Sequence, residues 1–267
     1  MRAISLRDKH LIESALRRNT QLHLYELGDL DDFFWDHTTW YADDPPREIV
    51  LIYNGANPPV LLALTYDPAR MRTLLHATRP LLPKNFYAHL SDELVDVFAD
   101  DYEIEHHGLH LKMSLTAPHK VDAVNTHEAF NLTSNNLDEI KALYEVSYPG
   151  NWFDARMLET GMFFGVGREK KLVSIGGVHV YSPHYRVAAL GNITTHPDHR
   201  GQGLAMISTA KLCQELRQHV DHIGLNVLAN NVSAVACYKK LGFEEVARYG
   251  EYMLVKKTSE VLKTSEV

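Results

Sequence analysis

Between Val187 and Val220 the chain changes its hydrophobic period abruptly, and that change limits the folds open to it. Val187-Ala188-Ala189-Leu190 is a continuous apolar run and reads as a buried strand. Ala205, Met206, Thr209, Leu212, Cys213, Leu216 and Val220 then recur at helical spacing. Between the two lies Thr194 to Ala205, TTHPDHRGQGLA, a strand-to-helix turn with Gly201 and Gly203 at its tightest part. Such a turn points backbone N–H groups outward at the positive end of a helix. Small residues let a phosphate approach that backbone closely. The expected ligand is an anion, with a pyrophosphate the best fit. Two glycines alone would serve equally for a tight connection, so the wider pattern has to decide. The turn is not G-x-x-x-x-G-K-[ST], because no Lys-Ser or Lys-Thr follows. Nor is it G-x-G-x-x-G, because Leu204, Ala205 and Met206 follow Gly203.

A chain of 267 residues holds one large or two ordinary domains. No apolar run approaches the ~18 residues of a membrane span. The N-terminus, MRAISLRDKHLIES, has no signal-peptide core, so a cytoplasmic location and no membrane partner are expected. Cys213 and Cys237 form no C-x-x-C pair and fall in predicted helices, so they read as buried free thiols. The formal charge of −7 comes with no basic block, which argues against a nucleic-acid partner while leaving room for a local basic patch. Sixteen histidines are scattered, with His106, His107 and His110 on one stretch, His179 and His184 on another, and His196 and His199 on the central turn. No cysteine or carboxylate joins them at ligand spacing, so no metal is expected.

Taken in order, residues 5–18 read as an amphipathic helix capped by Ser5. The aromatics of residues 21–41 read as core packing. Residues 49–53 and 60–64 form a hairpin across Asn54-Gly55 and Pro58-Pro59. A helix near 68–78, a strand at 86–90, a helix over 92–99 beginning with Asp92 and Glu93, and strands near 102–106 and 109–115 complete an α/β module without a phosphate loop. Thr116 to Lys120 marks a boundary. Beyond it are expected a strand over 121–130 and a helix from an Asn136 cap with Glu139 three residues later. A short helix from Asp154 to Gly161 and strands at 162–166 and 172–181 follow. After the central turn and its helix come a strand at 223–227, a helix at 232–241 ended by Gly242, and a hairpin of 243–248 with 251–256 through Gly250. The expected division is therefore 1–118, 119–257 and a tail, 258–267, in which the polar Lys-Thr-Ser-Glu-Val repeats and frays.

Two blocks carry a resemblance. Arg200-Gly201-Gln202-Gly203-Leu204-Ala205 fits R-x-x-G-x-A behind His196-Pro197. Downstream, NNVSAVACYKKLGF holds Asn231, Ala234, Tyr238, Gly242 and Phe243. Together they resemble the coenzyme-A loop and the later motif of the GNAT acetyltransferase superfamily. The strong resemblance covers roughly residues 135–256. Residues 1–120 are similar only in layout, that of the glycine N-acyltransferase-like branch with a divergent N-terminal domain. The resemblance implies an α/β (α+β) fold: a mixed, splayed central sheet flanked by helices, preceded by a smaller divergent α/β domain with no cofactor site.

It also implies an acyl-CoA-dependent N-acyltransferase using acetyl-CoA. Ile193, Thr194 and Thr195 are assigned to the pantetheine arm, and Arg200, Gly201, Gln202, Gly203, Leu204 and Ala205 to the pyrophosphate. The Arg200 side chain either joins them or holds the loop. Asn231 bonds the coenzyme arm, caps its helix, or does both. Tyr238 stands where the family places the thiolate's proton donor; a phenol with an ordinary pKa near ~10 is protonated at neutral pH. Packing on the sheet is its other reading. The strand 187–195 carries no Glu or Asp. The general base is therefore His179 on the neighbouring strand, or ordered water. Trp152, Phe153 and Asn192 are the candidates for contact with the acceptor. The expected partner is a small amine or amino acid, with a homodimer left open. A protein lysine or N-terminal acetyltransferase and a catalytically silent acyl-CoA sensor are the alternatives.

Overall fold

The computed structural model describes residues 3–91 and 93–257. The expected tail 258–267 and the first-turn role of Asp92 lie outside these residues. The described chain forms two compact units. One holds residues up to 111, with 228–230 and the chain from 247 onward; the other holds 112–227 and 231–246. The expected boundary at 118/119 thus lies seven residues further along than the change of unit at 111/112, and residues from 247 on group with the first unit.

In chain order the first unit contains β1 (Ile4–Ser5), α1 (Lys9–Leu16), α2 (Leu24–Gly28), α3 (Asp32–Trp35), β2 (Thr38–Ala42), β3 (Ile49–Tyr53), β4 (Val60–Ala63), α4 (Pro68–Thr78), β5 (Asn85–Ser91) and the start of β6 (Tyr102–Leu115). The cap of α1 is Asp8, whose carboxylate accepts from His10 and Leu11 N–H at 2.9 and 3.1 Å; Ser5, the expected cap, sits in β1. The hairpin between β3 and β4 forms in the register Ile52↔Leu61. The helix expected over 92–99 is a single 3-10 turn, Val95–Phe98. The two strands expected within 102–115 are one, β6, which passes through Gly108 at φ +122°. The core gathers Val50, Leu61, Met71, Leu74, Phe86 and Phe98, all fully buried. Each such side chain contributes about 1.5–3 kcal/mol.

The second unit contains α5 (His119–Asp122), β7 (Ala129–Asn131), α6 (Leu137–Ser147), β8 (Phe164–Arg168), β9 (Lys171–Ser182), β10 (Val187–Thr195), α7 (Leu204–Leu216), β11 (His222–Leu228) and α8 (Val232–Lys240). The last strand, β12, spans Phe243–Lys256. The strand expected over 121–130 is instead α5 followed by β7, because Pro118 suits a helix start. The entry to α6 is set three residues early. Thr133 Oγ1 accepts from Asn135 N–H at 3.3 Å, and the Asn136 side chain accepts from Thr133 N–H at 3.1 Å. The hairpin expected through Gly250 is absent: Gly250 pairs with Leu90 of β5, and the Tyr252 ring fills the space a side chain there would take.

The two units repeat one topology. In the first, β1, β2, β3 and β4 pair antiparallel in sequence, α4 follows, and β5 returns parallel to β4. In the second, β7, β8, β9 and β10 pair antiparallel in sequence, α7 follows, and β11 returns parallel to β10. The glycine turn of the second unit and the link from β4 to α4 in the first are therefore equivalent places.

Candidate active site

The centre of the second unit is β10. Its pairing with β11 runs from Val187↔His222 to Leu190↔Leu225. From Gly191 to Thr195 it continues beside β9 alone, to Thr195↔Ser174. The sheet is splayed at this point, as the resemblance implies. Within the splayed segment the β9 register slips between Gly191 and Thr194, and Asn192 takes a left-handed backbone, φ +56°. Asparagine enters the left-handed region more readily than other non-glycine residues, and here hydrogen bonds from neighbouring groups fix it there.

The holding groups come from the end of α6, the residues that follow it, and β9. The buried Tyr144 hydroxyl donates to the Asn192 carbonyl at 2.8 Å. The Asn151 amide donates to Asn192 Oδ1 at 2.8 Å, and Asn192 Nδ2 reaches the Val178 carbonyl at 3.4 Å and Met157 sulfur at 3.5 Å. Thr194 Oγ1 bonds Ser147 Oγ at 2.9 Å. Asn192, expected at the acceptor, is thus 2% exposed and has its amide directed into the protein. Tyr144, Ser147 and Asn151 were not singled out from the sequence. Tyr144 reads there as part of the apolar face of a helix, and its one distinguishing signal is a hydroxyl on that face.

Beyond Thr195 the chain makes a 3-10 turn, Pro197–His199, and reaches α7 through Gly201 and Gly203, at φ +78° and +77°. Gly203 is the N-cap of α7; no side chain caps that end and its first turn carries no acid. A Cβ added at Gly201 would meet nothing within 4 Å, and one at Gly203 would meet only Met206 Cε at 4.0 Å. The first N–H groups of α7 therefore face open space at the positive helix end, a fit to a pyrophosphate. Residues 200–203 are exposed while Leu204 is buried. The Arg200 side chain holds the loop: it donates to the Thr195 carbonyl at 3.3 Å and to the Ser147 carbonyl at 3.4 Å.

The equivalent place in the first unit is closed to an anion. Asp67 caps α4, accepting from Arg70 N–H at 3.1 Å, and Pro68 removes a donor from the first turn. The split between β4 and β5 is bridged by Ser91, whose hydroxyl accepts from Thr65 N–H at 2.9 Å and donates to the Thr65 carbonyl at 3.3 Å.

Around the splayed segment, the half-buried His179 ring lies against the Gly191 backbone. Trp152, about half exposed, meets that ring edge-on at 6.0 Å. Phe153 sits between Tyr144 at 5.3 Å and Phe163 at 5.9 Å. Tyr238 is buried in α8, edge-on to Phe243 at 6.0 Å. Burial holds its phenol protonated well above the ordinary tyrosine range, with the neighbouring Cys237, Tyr148 and Cys213 adding to the shift. Asn231 caps α8, accepting from Ala234 N–H at 3.2 Å. The fold thus brings Asn192, His179, Trp152 and Phe153 around one bend of β10, and sets Thr194, Thr195 and Arg200 along the path to the turn.

Comparison with known proteins agrees with this fold. Residues 126–243 match the family model of the GNAT acetyltransferases. This chain carries a GNAT acetyltransferase domain. The family transfers acyl groups from acetyl-CoA. No curated protein matches the chain. Solved structures with the same fold include a Drosophila protein at 12% identity and TM-score 0.69, covering 95% of this chain and 98% of that one. A GNAT acetyltransferase from Colwellia psychrerythraea is 13% identical at TM-score 0.57, covering 96% of this chain and 100% of its own. A GCN5-related N-acetyltransferase from Sphaerobacter thermophilus is 13% identical at TM-score 0.56, covering 96% of each chain. Among the described residues, no helix is long and apolar enough to cross a membrane, and no group of three His, Cys, Asp or Glu side chains is placed to hold a metal ion.

Proposed function

We propose that the second unit is an N-acetyltransferase that moves the acetyl group of acetyl-CoA directly to the primary amine of a small molecule or amino acid, in the cytoplasm. The observation that carries this reading is the splayed end of β10 running into an uncapped helix N-terminus whose two glycines leave the phosphate direction open. Ile193, Thr194 and Thr195 offer backbone to the pantetheine arm, and residues 201–205 offer N–H groups to the pyrophosphate. The Arg200 side chain fixes the loop rather than reaching outward.

In the transfer the amine nitrogen bonds the carbonyl carbon, the carbon–sulfur bond breaks, the sulfur takes a proton and the amine loses one. Tyr238 is the donor to sulfur, since burial keeps the phenol protonated at neutral pH. The amine proton leaves through ordered water or His179, which packs beside the bend of β10. The test is thiol release from acetyl-CoA across amines, amino acids and peptides. Turnover with small amines supports the proposal. Turnover confined to peptides would make this a protein acetyltransferase, and coenzyme binding without turnover on any acceptor would make it a sensor.

A further inference from the structure

We infer that Tyr144 is a positioning residue for acyl transfer: its hydroxyl sets the left-handed bend of β10 against which the acyl group is presented. The inference rests on the coenzyme reading of β10 given above. Three observations carry it. The bend falls at the first residues of β10 that lack β11 pairing, and there the strand has no second neighbour to fix its path. Asn192 adopts φ +56° where the β9 register slips, in the left-handed region that asparagine enters more readily than other side chains and that glycine enters freely. The Asn192 carbonyl itself is held by one side-chain donor, Tyr144 Oη at 2.8 Å, inside the protein, while Asn151 and Val178 bond the Asn192 side chain.

That bond does more than hold a shape. The Asn192 carbonyl and the Ile193 N–H belong to one peptide unit. A donor on the carbonyl polarises the unit and strengthens the N–H, in a low-dielectric setting where such coupling is largest. Ile193 is the first residue assigned to the coenzyme arm. The same turn of α6 also bonds Thr194 through Ser147 and receives Arg200 on the Ser147 carbonyl. The end of α6 therefore spans the track from bend to loop, with Tyr144 at the reacting end and Ser147 nearer the phosphate end.

The decisive variant is Tyr144→Phe, which keeps the ring against Phe153 and removes only the hydroxyl. Steady-state kinetics on the full chain should show kcat down tenfold or more. The Kd for coenzyme A, anchored at the turn, should change less than threefold. A second variant reads the bend itself. Asn192→Gly relieves the backbone strain, because glycine enters the left-handed region freely. Placed in the Tyr144→Phe background, it should recover a substantial part of the lost kcat. A tyrosine that only packs gives normal kcat in folded Tyr144→Phe, and that result overturns the inference while leaving the coenzyme reading intact. Lost kcat with no recovery in the double variant also overturns it. A wild-type chain that neither binds coenzyme A nor releases thiol overturns both.

Discussion

Gly203 and Gly242 share a left-handed backbone, at φ +77° and +94°, but alanine should affect them in opposite ways. The conformational cost of alanine there is about 1–2 kcal/mol at either site. At Gly203 the cost ends there, because the nearest atom to the new methyl is Met206 Cε at an ordinary 4.0 Å. At about 2–4 °C of melting temperature per kcal/mol, Gly203→Ala should melt roughly 2–8 °C lower. At Gly242 the methyl would stand 2.3 Å from the Ala117 carbonyl oxygen, which is backbone and cannot swing aside. The Gly242 carbonyl also accepts from Thr116 and Ala117 N–H at 3.0 and 3.1 Å, so relieving the clash loosens two hydrogen bonds worth about 0.5–1.5 kcal/mol each. Gly242→Ala should therefore cost several kcal/mol and melt well below Gly203→Ala. Coenzyme binding should reverse the order. The Gly203 methyl enters the space assigned to the pyrophosphate, and affinity for coenzyme A should fall at least tenfold, about 1.4 kcal/mol. Gly203→Val should abolish binding in a chain that still folds. Melting curves and calorimetry on the same preparations test both halves. Unchanged affinity in Gly203→Ala would reduce the turn to a connection. Equal melting of the two alanine variants would refute the steric argument.

Three further outcomes follow from the site and its counterpart. Tyr238→Phe should lower turnover by roughly 10²–10⁴ with coenzyme affinity unchanged, and near-normal turnover in a folded variant would remove Tyr238 as the acid. Burial, with the Glu26 charge adding, raises the Asp29 carboxyl well above the ordinary range. A raised folded pKa gives stability that is full below the unfolded value near ~3.9 and lost as pH rises through the folded value, so Asp29→Asn should melt higher than wild type at neutral pH and alike in acid. A lower melting point at neutral pH would contradict this. Asp67→Ala removes the α4 cap and should cost about 1 kcal/mol of stability while leaving coenzyme A affinity alone. Weakened binding would place part of the coenzyme site in the first unit.

What could be read from the sequence was local. The run Val187–Leu190, the glycines and the periodic face of α7 announce one another within thirty residues. The β3–β4 hairpin and the Asp154-to-Gly161 turn carry their own caps and turn residues. The glycine at 250 misled, because a glycine between two apolar runs looks like a hairpin whether or not a ring from two residues on lies over it. Tyr144 was invisible for a related reason: at its position in α6 a core tyrosine and a tyrosine bonded to a strand 48 residues away give the same periodicity. The bend at Asn192 carries only a weak sequence signal, since asparagine enters the left-handed region more often than other side chains but far less often than glycine.

The repeated topology was hidden because it lies in strand direction, which composition does not record. Once the two units are set side by side, the same position in each explains why only one is assigned the coenzyme. After β10 come two left-handed glycines, an uncapped helix and a sheet left open beyond Leu190. After β4 come a carboxylate on the helix end, a proline in place of a donor, and a serine bridging the strands. A carboxylate at a helix N-terminus satisfies the same donors and the same dipole that a phosphate would. Asp43 lies close by and is ion-paired to Arg70 beside that helix end, so the Arg70 cation is already engaged and not free for a phosphate. A phosphate approaching α4 would have to displace the Asp67 carboxylate from the helix N–H groups, whereas one approaching α7 displaces no acidic side chain. The first unit repeats the strand order of the second and fills the equivalent position at its helix end from within.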